Sequence, residues 1–272
     1  MYHELRVPAV GTLWWAHAEH PASFSDGEAG GATGGEAGGR IIAADGSADL
    51  ILRDDSLLVA GPSTRALRVQ GSRSGVTVGV RFDPGAAGLA LSQSAAPLRD
   101  AQLAGTAVLS PLQLRSALSL LRRVRGAVVE AGQAGDTASR LPGEAQARAV
   151  QAAAAALQRA YAPVLAEQRH WRSAVRSAAA SGAPAAAVAG EFGVSERHFR
   201  RRMTEGFGYG FTSLRRVLRA ERAHELLRGG VPVVDVAARG GYADQAHLTR
   251  ELRDIAGTTP GRVSRYAAGS GA

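Results

Sequence analysis

Residues 185–205 read AAAVAGEFGVSERHFRRRMTE, and this stretch decides the reading of the chain. Its alanine-rich start favours a helix to about Glu191. Gly193 then stands where a tight turn needs a left-handed backbone, and Val194 is an apolar plug. Ser195 has the chemistry of an N-cap, a side-chain oxygen that accepts from the first free amides of the next helix. In that helix Phe199 and Met203 lie four apart and face inward. Glu196, Arg197, Arg200, Arg201 and Thr204 are left outside. A short helix, a glycine turn and a helix with a basic outer face make the layout of a DNA-reading helix-turn-helix.

The same grammar returns at 233–256, VVDVAARGGYADQAHLTRELRDIA. Val233, Val236 and Ala237 form the inner face of a first helix, Gly240-Gly241 the turn and Tyr242 the plug. Asp244 is placed to cap a second helix with Leu248, Leu252 and Ile255 inside, and Gln245, His247, Thr249 and Arg250 outside. One such pattern is common in ordinary helical bundles; two in succession are far more specific. Between them, 211–227 predicts a helix of about 25 Å. A connector of that size suits two reading helices set on successive major-groove faces about 34 Å apart.

Charge agrees with this placement. From Glu167 onward there are seventeen arginines against ten acids, whereas residues 1–166 carry fifteen against fourteen. Of the net charge of +8, +7 therefore belongs to the last third of the chain, which points to a polyanionic partner. Lysine is absent; arginine suits bidentate contacts to phosphate and guanine.

The ordered motifs resemble the DNA-binding domain of the AraC/XylS family of transcription regulators. They begin with Phe192-Gly193-Val194-Ser195, Arg197, Phe199, Arg201 and Met203. They continue through 219–223 (RAERA), Leu226-Leu227, Val236-Ala237, Gly241-Tyr242 and Asp244 to 248–250 (LTR) and 257–260 (GTTP). Two departures are Ala246, where a serine is usual, and Leu248 and Leu252, where phenylalanines are usual. The resemblance implies base-edge or groove contacts from Arg197, Arg200 and Arg201 in one unit, and from Gln245, His247, Thr249 and Arg250 in the other. Helix-start amides near Ser195 and Asp244 would hold phosphates. The bland alternative is solvated arginines, with Glu196 and Glu205 pairing along the helix with Arg200 and Arg201.

Upstream, short strands are expected at 11–18, 40–43, 48–52, 56–60, 66–70 and 76–82, with turn residues between them. Asp45-Gly46 reads as a hairpin turn and Pro84-Gly85 as another turn. The run 25–39, SDGEAGGATGGEAGG, is low-complexity and is no phosphate loop, since no Gly-Lys-Ser/Thr follows it. Helices follow at 111–130 and 143–161, the first with Leu114, Leu118, Leu121, Val124 and Val128 on one stripe. Motifs at 44–50, 61–64, 79–85 and 98–100 resemble the cupin-like sensor domain found ahead of such modules, a small β barrel that binds an effector or supports dimers. The expected fold class is thus α+β. A β-rich part spans 1–105, a helical connector 106–165, and a double helix-turn-helix part 166–267.

Enzyme chemistry has little support in the residues. No cysteine is present, which removes thiolates and disulfides together. His17 and His20 are spaced for metal only on a helix, and their stretch reads as strand and loop. No Gly-x-Ser-x-Gly elbow exists, and neither a catalytic group nor a cofactor is expected. Trp14 and Trp15 with Arg81 and Phe82 are a candidate pocket, the alternative being core or interface tryptophans. No apolar run spans a membrane, and no signal peptide is read at the N-terminus, so a cytoplasmic protein is expected. The reading is a regulator of promoter DNA, with RNA polymerase, a small-molecule effector and a second copy of the chain left open as partners. The rival is a ligand-binding or enzymatic barrel with a helical protein-contact module.

Overall fold

The computed structural model describes residues 2–17, 39–70, 75–134 and 144–269. Among the described residues there are eight strands: β1 (Tyr2–Val7), β2 (Gly11–His17), β3 (Gly39–Ile42), β4 (Ala48–Arg53), β5 (Ser56–Ala60), β6 (Leu67–Gln70), β7 (Val76–Phe82) and β8 (Gln102–Ala104). Two single-turn helices, α1 (Ala87–Ala90) and α2 (Gly105–Val108), flank β8. The long helices α3 (Pro111–Ala134) and α4 (Glu144–Ala166) follow. Seven more helices follow among the described residues: α5 (Arg169–Ser181), α6 (Ala185–Glu191), α7 (Glu196–Phe207), α8 (Phe211–Arg228), α9 (Val233–Arg239), α10 (Gln245–Ala256) and α11 (Pro260–Gly269). The expected α+β class, with strands ahead of helices, is what the chain adopts. Of the glycine-rich run 25–39, only Gly39 lies within the described residues.

Six strands form one antiparallel sheet in the order β1-β2-β7-β4-β5-β8, and β3 pairs with β6 in a second. Alternation along the strands assigns the faces. Leu13, Trp15, Leu50, Leu52, Val78, Val80 and Phe82 point to one side, where Leu121, Val124 and Val128 of α3 and Val150 and Leu157 of α4 cover them. Removing such side chains from water contributes about 1.5–3 kcal/mol each. The leucine stripe of α3 is therefore intramolecular core, with Leu121 fully buried and Leu114 and Leu118 packed beside it.

Asp45-Gly46 does not join a hairpin, because β3 pairs with β6 while β4 pairs with β5 and β7. Gly46 does adopt φ +70°, and Asp45 Oδ1 accepts from the Ser47 amide at 2.8 Å, so the pair forms a local turn leading into β4. The tight hairpin is at Asp54-Asp55, with φ of 47° and 66° between paired Arg53 and Ser56. Positive φ at both positions matches the twist of the flanking strands.

The four-residue pocket expected at 14, 15, 81 and 82 is split by the sheet. Trp15 and Phe82 are in the helix-covered core. On the opposite face Trp14 Nε1 donates to Asp49 Oδ1 at 2.8 Å, and Arg81 Nε lies 3.2 Å from Asp45 and 3.5 Å from Asp49. His3 stacks on Trp15 at 5.2 Å, so it serves packing; His20 lies outside the described residues. Among the described residues no helix is long and apolar enough to cross a membrane.

Candidate nucleic-acid interface

Both turn regions fold as their local chemistry dictates. After α6, Gly193 takes φ +63° and the Val194 amide reaches back to Ala189 O at 3.0 Å. After α9, Gly241 takes φ +67° and the Tyr242 amide reaches Ala237 O at 3.0 Å. The plugs differ in depth: Val194 is half-buried, Tyr242 buried. Ser195 caps α7 by accepting from the His198 amide at 3.3 Å, and Asp244 caps α10 by accepting from the His247 amide at 2.6 Å. Both helices end on a left-handed glycine, Gly208 and Gly257.

The inner faces are Phe199, Met203 and Phe207 of α7, and Leu248, Leu252 and Ile255 of α10. Leu248 and Leu252 are fully buried, so they fill their core without the larger rings usual there. Trp171 of α5 supports α7 through edge contacts to Phe199 and Phe207. Separate cores thus sit behind the two reading helices, one around Met203 and one around Leu248.

On α7, Arg197, Arg200 and Arg201 are all exposed, and the helical wheel centres Arg197 and Arg201 opposite the buried stripe. Arg200 pairs with Glu196 at 3.0 Å and Arg201 with Glu205 at 3.8 Å. Exposed pairs of this kind contribute at most about 1 kcal/mol, so they orient the guanidinium groups without retaining them against phosphate or a base. His198, absent from the expected set, also borders this face and lies 3.5 Å from Arg201. Its signal in the sequence was its position three residues after the cap.

The second reading helix is less polar. Gln245 and Arg250 are exposed. Thr249 is half-buried and donates its hydroxyl to Gln245 O at 2.8 Å. His247 packs edge-on against Tyr242 at 5.3 Å, and its Nδ1 accepts from the Ala243 amide at 3.4 Å. The centre of the outer face is instead Ala246, Arg250 and Arg253, all exposed.

A buried ion-pair network behind α10 was not anticipated. The Glu251 carboxylate, 4 % exposed, accepts from Arg219 at 2.8 and 2.6 Å and from Arg216 at 3.3 Å. Arg216 also reaches Asp254 at 2.7 Å, and the Arg219 guanidinium lies 4.6 Å over the Tyr242 ring. The legible signal was the matched spacing, two arginines three apart on α8 and two acids three apart on α10. Together these contacts fasten the second reading helix to the connector.

Residues 188–266 match the family model described as a helix-turn-helix domain, a span that takes in both units. These residues form an AraC-type helix-turn-helix domain. The chain carrying this domain is a DNA-binding transcription regulator. The chain is similar to the C-terminal domain of AraT, a response regulator from Geobacillus stearothermophilus. That likeness has 26% identity and TM-score 0.32, over 36% of this chain and 82% of that one. ToxT from Vibrio cholerae O395, bound to (E)-4-(8-methylnaphthalen-1-yl)but-3-enoic acid, is similar at 12% identity and TM-score 0.40, over 84% of this chain and 88% of that one. Another ToxT structure from Vibrio cholerae gives 11% identity and TM-score 0.39, over 86% and 95%. Among curated protein sequences no match is found.

Proposed function

We propose that the regulator reads a two-block site in promoter DNA, with α7 in one major groove and α10 in the next on the same side of the duplex. The observation that carries this reading is the pair of capped helices, each with its first turn and a basic outer face open to solvent. Arg197, Arg200 and Arg201 read one block; Gln245 and Arg250 read the other. His247 and Thr249, held by Tyr242 and by the backbone of α10, shape its flank. The amides after Ser195 and Asp244 hold phosphates. Footprinting on a duplex selected from random sequence by the intact protein tests this: two protected blocks about 10 bp apart are expected, and a single protected block would overturn it.

The finer organisation follows the same reading. The strands and α1 form a sensing or dimerising part to about residue 105, α3 and α4 a connector, and the residues from 166 the DNA-binding part. The protein works in the cytoplasm as a regulator, not as an enzyme. It responds to a small molecule, contacts RNA polymerase once bound, and acts as a pair of chains. Arg81 is already compensated by Asp45 and Asp49, so an anionic effector on that face would have to displace a carboxylate. A thermal-shift screen checks the sensing role: a ligand of the folded state raises the melting temperature, and no stabilising compound would leave the strands a purely structural part.

A further inference from the structure

The strand-rich part touches the DNA-binding part at the C-terminal ends of both reading helices. The Ala95 amide donates to Glu205 O at 2.9 Å, in the last turn of α7. The Ala44 and Ala66 amides donate to Ile255 O and Asp254 O, each at 2.7 Å, in the last turn of α10. The final four carbonyls of a helix have no partner within it. Here a distant part of the chain satisfies three of them, shared between the two helices. Tyr209, 1% exposed and just past α7, donates its hydroxyl to Gly46 O at 3.0 Å.

The approach is close enough to exclude side chains. A Cβ on Gly46 would lie 2.2 Å from the Tyr209 hydroxyl, one on Gly88 2.5 Å from Glu205 O, and one on Gly257 2.2 Å from Ile41. The opposite ends of α7 and α10, with Ser195 and Asp244, face solvent. The strand-rich part therefore bridges the two helices from behind and leaves their reading faces open.

We propose that this bridge is a positioning element for DNA reading. By holding the ends of α7 and α10 together, it fixes their separation and tilt, so the intact chain demands one spacing between the two blocks. Ala44, Ala66 and Ala95 act through their amides and Tyr209 through its hydroxyl. The inference rests on the two-block reading above. Lifting the strand-rich part would leave each helix able to read its own block while relaxing the spacing between blocks.

The test uses the intact chain and duplexes carrying both selected blocks at the selected spacing or with half a helical turn, about 5 bp, inserted. Ala95→Pro removes one bridging amide, and Ala95 already has φ −77°, which suits proline. Tyr209→Phe removes only the hydroxyl, and it decides the matter by the same comparison if Ala95→Pro does not fold. The native chain is expected to lose at least about tenfold in affinity on insertion, or 1.4 kcal/mol. The variants should lose less than about threefold, with binding to a single block unchanged. Variants that keep the native spacing penalty, or that bind the selected spacing more tightly than the native chain, would overturn the proposal. A native chain indifferent to spacing would instead remove the two-block reading on which it stands.

Discussion

Arg201 illustrates how little holds a reading side chain before DNA arrives. Its exposed contact to Glu205, at 3.8 Å, is easily exchanged for a base edge. A bidentate arginine–guanine contact is worth about 1–3 kcal/mol of discrimination. Arg201→Ala is therefore expected to weaken specific binding about tenfold or more while leaving binding to unrelated duplex nearly unchanged. Competition titration with both duplexes measures the two, and equal losses would assign Arg201 to phosphate. A second residue-scale prediction concerns Glu221 on α8. Burial lifts its carboxyl to about 7, with Asp45 adding to the rise and Arg176 and Arg81 opposing it. Burial likewise raises the Asp49 carboxyl, with the Arg81 guanidinium opposing the rise. A raised acid holds in the folded state a proton that the unfolded chain has released, so stability falls as pH rises from about 4.5 to about 7. Glu221→Gln should flatten that fall and raise the melting temperature at pH 8 by a few degrees, since about 1 kcal/mol moves a chain of this size by roughly 2–4 °C. An unchanged melting profile across pH would refute the assignment.

Among the elements, the second reading helix depends on the Glu251 network. Its arginine partners are 31% and 41% exposed and can return to water, so Glu251→Ala is expected to cost about 1–3 kcal/mol rather than the larger penalty of a fully buried charge. Thermal melting measures the loss. Footprinting should then show the α10 block weakened and the α7 block retained; equal weakening of both would mean the network holds the whole domain instead. Both helix-turn-helix units were legible because their determinants are local: a cap, a left-handed glycine and apolar residues four apart. The sheet was less so. β1 alternates Glu4 and Arg6 with Leu5 and Val7 on an edge, and β8 has only three residues, so neither carries a strong apolar pattern. Trp14-Trp15 and Arg81-Phe82 show the opposite case, since a period of two already places neighbours on opposite faces. The β3–β6 pairing joins segments too far apart for turn chemistry to announce.

At the scale of the whole molecule, the contact between strands and reading helices left no trace in the sequence. It is made by backbone amides and by glycines, and neither has a pattern of its own. Charge, by contrast, was legible and has a direct consequence. With the basic excess concentrated after residue 166, several phosphates are neutralised on binding, and log affinity should fall with log salt with a slope steeper than about −4. A shallow slope in a salt titration would mean that few arginines meet the backbone. The central claim is that two helices read one duplex, and selection of random duplex DNA by the intact protein at near-physiological salt tests it most directly. Recovery of two conserved blocks about one helical turn apart is the predicted result. Recovery of one block would reduce α10 to a support for α7, and recovery of no preferred sequence would contradict the account.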